Sequence, residues 1–352
     1  MNSKEPVITT NICVDEEYVW FVHRKYDALL RFNLITKELD YIITLPKIDD
    51  WQTDGYGFSK IVKNRNNIIL IPNQNSSLLV IDEKSLEYTL VEIDNKKYKY
   101  GLFRSAFLME DGFFLIPSQY DFIAKYDMES GTVERVINWR EKSKEYTAES
   151  YISDFSIEGD RIALLVKPQN EIMVFSTTKR TIDIISPANH SCDFATIIML
   201  NNRILAQGKE VGITEIDVNG NLRIISKEKE FKRELYLYKF GNEIMLDYLR
   251  ENRIIICNED LELEQEYNDA IVTDEEYVYF VFLDDMKYGE YKLYFNNATS
   301  ELLLFNKSGI NMIEKIDAIK EKEKMINGYL RKNSFVSENK SLNARDFVKY
   351  LI

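Results

Sequence analysis

The stretch Asn11-Ile-Cys-Val-Asp-Glu-Glu-Tyr-Val-Trp-Phe-Val22 occurs a second time, with few changes, as Ala270-Ile-Val-Thr-Asp-Glu-Glu-Tyr-Val-Tyr-Phe-Val281. In each copy an apolar run leads into an acidic triplet and then into a second apolar run, which is the pattern of a β-hairpin with a polar tip. Weaker copies of this hairpin recur between the two at intervals of roughly 40–50 residues, the length of a four-stranded repeat unit. The sequence therefore predicts an all-β repeat fold.

Turn residues divide the chain into seven such units. In the second unit, for example, apolar runs predict strands over 58–62, 67–71, 77–82 and 88–93. Asp111-Gly112 turns the first hairpin of the third unit, because Asp-Gly readily adopts the positive φ angles of a tight turn. The predicted units cover residues 7–45, 57–93, 102–139, 150–187, 193–226, 234–267 and 270–305.

A finer repeat lies where the second strand of a unit ends. Units two, three and four read Leu70-Ile-Pro-Asn-Gln74, Leu115-Ile-Pro-Ser-Gln119 and Leu165-Val-Lys-Pro-Gln169 there. Proline at this point ends the strand without removing a hydrogen bond from the middle of the sheet. Over residues 7–305 the chain thus resembles the β-propeller superfamily, which includes WD-repeat, kelch and YVTN-type proteins, although it carries none of their signature motifs. The resemblance implies a closed ring of seven four-stranded blades, with six as the alternative.

The apolar pattern changes after residue 306, where we place the boundary between the propeller (1–306) and a helical C-terminal tail (307–352). Between Ile310 and Leu330 the apolar residues are spaced by three and four, which predicts an amphipathic helix. A second short helix is predicted over Ala344–Leu351, with Asn343 as its N-cap. The tail either packs against the propeller or docks on a partner, including a second copy of the chain.

Composition excludes several classes of partner and location. The formal net charge of −13 repels nucleic acid and anionic membrane surfaces. The N-terminus lacks the apolar stretch of a secretory signal, and no segment is apolar enough to span a bilayer. Three widely spaced cysteines, each in or beside a predicted strand, suit buried thiols in a reducing compartment. We therefore expect a cytoplasmic protein.

The resemblance implies that ligands bind on the face that carries the loops between blades and the loops between second and third strands, or at the mouth of the central channel. Aromatic residues are frequent in the loops between units: Trp51, Tyr56, Tyr98, Tyr100, Trp139, Tyr146 and His190. A polar ring on this face is expected from Gln74, Gln119, Gln169 and Gln207, and a mixed-charge ring at the channel mouth from Lys60, Arg104, Asp154 and Asp193. Each set also has a structural explanation, namely packing on neighbouring blades, capping of local backbone, and mutual ion pairing.

Residue types required for catalysis are sparse. The chain has only two histidines, His23 and His190, and no metal-binding spacing of histidine or cysteine, so no metal or cofactor is predicted. Asp154 with Asp193 is the one nominated carboxylate pair for glycoside chemistry, and His190 is a candidate base. The predicted function is non-catalytic binding of a protein, peptide or glycan. The alternatives are a glycoside hydrolase or lyase at the channel mouth, and a subunit anchored to an enzyme by its tail.

Overall fold

A computed structural model of the protein describes residues 9, 12–15, 17–49, 57–188, 193–208, 212–226, 235–240, 243–248, 253–268, 280–282, 292–296, 301–306 and 309–332. These residues form seven four-stranded antiparallel sheets, each built from four strands that follow one another in the sequence. No helix in these ranges is long and apolar enough to cross a membrane.

The strands are numbered in chain order, four to a sheet. The first sheet contains β1 (Ile12–Asp15), β2 (Tyr18–His23), β3 (Ala28–Asn33) and β4 (Leu39–Thr44). The second contains β5 (Phe58–Asn64), β6 (Asn67–Pro72), β7 (Ser77–Asp82) and β8 (Tyr88–Glu92). The third contains β9 (Phe103–Leu108), β10 (Gly112–Pro117), β11 (Phe122–Asp127) and β12 (Thr132–Asn138). The next two contain β13 (Tyr151–Glu158), β14 (Arg161–Lys167), β15 (Glu171–Ser176), β16 (Thr181–Ile185); β17 (Phe194–Leu200), β18 (Arg203–Gly208), β19 (Gly212–Ile216) and β20 (Leu222–Ser226). The last two contain β21 (Leu235–Phe240), β22 (Glu243–Tyr248), β23 (Arg253–Cys257), β24 (Leu263–Asn268); β25 (Phe280–Phe282), β26 (Lys292–Asn296), β27 (Glu301–Asn306) and β28 (Gly309–Lys315).

Neighbouring sheets pack face to face, with the first strand of each sheet beside the first strand of the next from β1 through β21. Clusters of buried apolar side chains join consecutive sheets from the first to the sixth. Leu302 of the seventh sheet belongs to the cluster of the first sheet. Middle strands such as β10 are buried throughout because sheets cover both of their faces, whereas the outer strand β8 is largely exposed. This is the arrangement of a β-propeller, and the sheets are called blades below.

A recurring side-chain contact shapes the turn between the third and fourth strands of a blade. An Asp or Asn at the end of the third strand accepts, through Oδ1, a hydrogen bond of 2.7–3.1 Å from the backbone N–H two residues later. Such a contact fixes the turn locally without help from other blades. The residues are Asn33, Asp82, Asp127, Asp217 and Asn258.

The prediction for the end of the chain was wrong in two respects. The last blade does not end at residue 305 as the predicted unit does, because β26 and β27, which lie at the end of that unit, are its second and third strands. The fourth strand is β28, which lies where the helix was predicted to begin. This segment is a strand because its backbone pairs with β27 from Asn306 to Glu301. The predicted first hairpin of this unit lies outside the described residues, apart from β25.

A helical segment does follow, but later than predicted. A 3-10 turn over Ala318–Lys320 leads into helix α1, Lys322–Lys332. The helix packs against β3 and β4 of the first blade, where Met325 and Tyr329 are buried in its apolar cluster. The second predicted helix lies outside the described residues.

Candidate functional site

A cavity of about 500 Å³ opens between the third, fourth and fifth blades. It lies where first strands begin and second strands end, which is the face predicted to carry ligands. Tyr100 precedes β9, Glu149 precedes β13 and Asp193 precedes β17, while Lys167 ends β14. The sequence predicted Asp193 at the mouth of the central channel and Tyr100 in a loop of this face. Lys167 and Pro168 belong to the repeated motif at the end of the second strand, whereas the other lining residues were not singled out in the sequence: Glu149, Tyr151, Ser153, Phe194 and Ala195.

A β-bulge at the start of the first strand recurs in four consecutive blades. In each of β5, β9, β13 and β17 one residue is left out of the pairing with the second strand. The extra residue lets the strand present one more side chain at its start, as bulges beside binding sites commonly do. The residues concerned are Ser59, Arg104, Ser153 and Ala195.

The bulges alter which side chains reach the cavity. Arg104 and Ala195 are exposed, although the preceding Phe103 and Phe194 are completely buried. Ser153 and Ala195 line the cavity itself. Small side chains in a bulge leave space, so part of the cavity exists because these two positions carry Ser and Ala.

One wall of the cavity is a pair of stacked tyrosines. The ring centroids of Tyr100 and Tyr151 lie 3.9 Å apart with 21° between the ring planes. Lys99 Nζ lies over the Tyr100 ring, 4.9 Å from its centroid. Tyr151 therefore stacks on Tyr100, and the ammonium group of Lys99 lies within cation–π range of the same ring. Burial, together with the neighbouring Tyr100 hydroxyl, raises the pKa of Tyr151, so its hydroxyl is a neutral hydrogen-bonding group at neutral pH.

Two ion pairs flank the tyrosines. Lys99 Nζ lies 3.7 Å from a carboxylate oxygen of Glu149, and both side chains are mostly exposed. On the opposite side Lys167 forms an ion pair with Asp193 and a hydrogen bond to Asn170. The Lys167 side chain is 12% exposed and that of Asp193 is 74% exposed. Asp193 is therefore the accessible member of its pair.

The repeated glutamines hold the loops that carry the cavity residues. Gln119 Oε1 accepts from the Tyr100 N–H at 3.1 Å, and Gln119 Nε2 donates to the Ala148 carbonyl at 2.8 Å. Gln169 Nε2 donates to the Glu145 carbonyl at 2.8 Å, and its Oε1 accepts from Ser150 Oγ. These two glutamines thus clamp the segments that enter the third and fourth blades.

The other two glutamines differ from this pattern. Gln74 is half-buried, and its backbone N–H bonds to the Gly57 carbonyl. Gln207 is buried and donates to the Gly208 carbonyl. Gln74 and Gln207 therefore do not repeat the contacts by which Gln119 and Gln169 hold two loop segments.

Asp154 is held by the next blade. Its Oδ2 accepts from Thr196 Oγ1 at 2.7 Å and from the Ile197 N–H at 2.8 Å, both on β17. Burial raises the pKa of this carboxyl, although the positive charge of Arg104 and the two hydrogen bonds oppose that change. Lys60 makes a comparable contact between the second and third blades, where its Nζ donates to the Ala106 carbonyl on β9 at 3.2 Å.

Strand β13, which carries Asp154, makes further hydrogen bonds to the fifth blade. Ser156 Oγ accepts from the Met199 N–H at 2.8 Å, and the Glu158 carboxylate accepts from the N–H groups of Asn201 and Asn202. Alternate residues of β13 thus bond to N–H groups of β17 and of the turn that follows it. The contacts of Asp154 therefore lie in the interface between the fourth and fifth blades.

Trp139 does not present its ring on the ligand face. It is completely buried between the third and fourth blades, and its Nε1 donates to the Tyr120 carbonyl at 2.6 Å. Tyr98 is also buried, and its hydroxyl donates to Asp94. Trp51, Tyr56 and His190 lie outside the described residues. Within the described ranges, no group of three or more His, Cys, Asp or Glu side chains is arranged to hold a metal ion.

No family model and no curated protein matches the chain. Among solved structures it is similar to PorZ, an essential surface component of the type-IX secretion system of Porphyromonas gingivalis, with 12% identity and a TM-score of 0.58. The alignment covers 90% of this chain and 39% of PorZ, so the chain spans well under half of that protein.

Two further neighbours match over most of their own length. Virginiamycin B lyase from Staphylococcus aureus is 12% identical with a TM-score of 0.59, over 85% of this chain and 97% of the lyase. YCF48, solved with the D1 peptide bound, is 11% identical with a TM-score of 0.59, over 86% of this chain and 94% of YCF48. At these identities the likeness concerns the fold, which is that of a β-propeller.

Proposed function

We propose that this propeller is a non-catalytic binding protein that holds a protein or peptide partner on the face where the cavity opens. The observation that carries the proposal is the cavity itself, which combines a stacked tyrosine wall with accessible charged groups at its rim. Tyrosine supplies large contact area with little loss of conformational entropy, and it is enriched at protein interfaces for that reason. We further propose that seven blades close the ring and that the protein acts in the cytoplasm.

The bonding of the nominated carboxylates favours binding over catalysis. A general acid and base for glycoside chemistry must both be free to reach the substrate. Asp154 uses one carboxylate oxygen to hold two groups of β17, and Asp193 is paired with Lys167. A polypeptide partner needs no such pair, and the YCF48 propeller with its D1 peptide is a precedent for that use of the fold.

The proposal is tested by filling the cavity without breaking a contact. Ala195 is exposed and lines the cavity, so Ala195→Trp should occupy the space that a partner needs. Val218 lies in the turn between β19 and β20 of the same blade, on the opposite face, and is 77% exposed. Val218→Trp is therefore the matched control.

The immobilised protein and both variants would be exposed to lysate from the native cell, and bound proteins quantified by mass spectrometry. We expect a stoichiometric partner to be retained by the wild type and by Val218→Trp but lost from Ala195→Trp. Equal retention by all three proteins would place the partner elsewhere, and recovery of no stoichiometric protein would reject the proposal.

The second candidate is an enzyme acting on carbohydrate at the channel mouth. The observation that favours it is Asp154, a carboxyl beside Arg104 whose pKa is raised by burial, as a general acid requires. The test is a panel of oligosaccharides assayed for new reducing ends and for unsaturated products. Turnover that Ala195→Trp abolishes and Val218→Trp preserves would replace binding as the function.

A further inference from the structure

We propose that the cavity binds a cationic peptide segment, with a lysine or arginine side chain placed between Glu149 and Asp193. The inference rests on the proposed function and adds the chemical class of the partner. Three observations support it: the exposure of the charged side chains around the cavity, the groups that already cover the Tyr100 ring, and the net charge of the whole protein.

The charged side chains that line the cavity are two carboxylates and one ammonium group. The side chains of Glu149 and Asp193 are 71% and 74% exposed, whereas that of Lys167 is 12% exposed. Lys167 is already neutralised by Asp193 and also bonds to Asn170. A ligand entering the cavity therefore meets two accessible carboxylates, the largely covered Lys167 and, at the rim, the exposed ammonium of Lys99 that is paired with Glu149.

The tyrosine wall favours a cation over a sugar. A sugar ring stacks on an open aromatic face, but Tyr151 already stacks on Tyr100 and Lys99 lies over the same ring. The position of Lys99 shows that this wall accepts an ammonium group over its π-system. Lys99 pairs with Glu149 at only 3.7 Å and both groups are exposed, so a ligand cation can share the carboxylate without breaking a buried contact.

The charge of the protein acts in the same direction. A net charge of −13 attracts a cationic partner at long range and repels an acidic one. Arg104 is the opposing element, because it is exposed at the bulge of β9 and its charge reaches Tyr151 and Asp154. Arg104→Gln should therefore strengthen binding of a cationic peptide, which is the opposite sign to the loss of a carboxylate.

Fluorescein-labelled octalysine, octaglutamate and a neutral Gly-Ser octapeptide are suitable probes, followed by fluorescence anisotropy at low ionic strength. The pocket variant is Glu149→Gln/Asp193→Asn. Its control is Glu87→Gln/Glu92→Gln, which removes the same two charges from exposed positions on the second blade. Because Asp193 also neutralises Lys167, Glu149→Gln is measured alone as well.

We expect octalysine to bind the wild type and the control equally, and the pocket variant about tenfold more weakly, as for loss of two partly exposed charge contacts. Glu149→Gln alone should weaken binding about threefold, and Arg104→Gln should strengthen it about twofold. Equal weakening by the pocket variant and the control would show a response to overall charge only and would overturn the inference. Preference for octaglutamate, or no binding of octalysine, would overturn it as well.

Failure here and failure of the proposed function are distinguishable. If octalysine does not bind the cavity but Ala195→Trp still abolishes capture of a cellular partner, the binding function stands and the partner is not cationic at this site. If Ala195→Trp leaves capture unchanged while octalysine binding follows Glu149, the cavity is a cation site and the cellular partner uses another surface.

Discussion

The ammonium group of Lys332 lies 2.6 Å from Oδ2 of Asp27, although the two residues are 305 positions apart in the sequence. Both side chains are almost completely buried. Asp27 lies in the turn between β2 and β3 of the first blade, and Lys332 is the last residue of α1. The ion pair therefore ties the C-terminal helix to the beginning of the propeller, where Met325 and Tyr329 complete the apolar cluster.

Replacing Lys332 with Met should destabilise the protein, because it removes one ammonium group from the buried Asp27 carboxylate. Breaking one side of a buried pair costs about 3 kcal/mol or more in the free energy of unfolding. The measurement is urea denaturation followed by tryptophan fluorescence. Arg331→Met is the control, since Arg331 is adjacent and exposed. Equal effects of the two substitutions would contradict the structural role assigned to the pair.

Deletion of residues 307–352 should prevent folding of the first and last blades. The deletion removes β28, which pairs along the whole of β27, and α1, whose buried face covers the first blade. Exposing that face and a strand edge together removes apolar burial and creates an aggregation-prone edge. Circular dichroism and size-exclusion chromatography would report the loss. A melting temperature equal to that of the full chain would instead support a tail that serves only to anchor a partner.

Substitution of Trp139 tests whether this side chain stabilises the core or contacts a ligand. Trp139→Ala should lower the free energy of unfolding by about 3–5 kcal/mol, the usual result of removing a large aromatic side chain from a packed core. Tyr88→Ala, at a position that is 48% exposed, should change it by less than about 0.5 kcal/mol. Chemical denaturation measures both. A stable Trp139→Ala protein that had lost only partner binding would restore the ligand-binding role predicted from the sequence.

The sequence predicted strands well where turn residues separate short apolar runs. In the second blade the predicted strands agree with β5 to β8 within two residues at each end. The prediction failed after residue 306 because the apolar residues there fit both the spacing of a strand and the spacing of a helix. Asn306, at the end of β27, occupies the position held by Asn33, Asp82 and Asp127 in earlier blades. That repeat was the available signal that a fourth strand follows.

The cavity was less predictable than the strands because its parts come from distant positions. Tyr100 and Tyr151 stack across two blades, and no local pattern pairs residues so far apart. The repeat of Gln119 and Gln169 was visible, but their carbonyl partners, which both lie in the loop between the third and fourth blades, were not. Ser153 and Ala195 matter for their small size in a bulge, and small residues carry no chemical signature in a sequence.

The interface between the fourth and fifth blades contains a carboxylate whose contribution to stability depends on pH. Burial alone would raise the pKa of Glu158, but hydrogen bonds from Asn202 and Asn201 and the charges of Lys239 and Arg161 outweigh that effect, so the pKa lies below its ordinary value of 4.5. A carboxyl with a lowered folded-state pKa stabilises the fold above its unfolded-state pKa. That stabilisation is lost as pH falls through the lower, folded-state value.

Glu158→Gln should therefore lower the free energy of unfolding at pH 7 by about 2 kcal/mol, since charge-assisted hydrogen bonds are replaced by neutral ones. The difference between wild type and variant should be constant near neutral pH and should shrink once the pH falls below about 4.5. Glu129→Gln, in the exposed turn of the third blade, is the control and should show no such trend. Denaturation curves from pH 7 down to the acid limit of folding give the comparison. A difference that grows as the pH falls would mean that the Glu158 carboxylate is not stabilised by its contacts with the fifth and sixth blades.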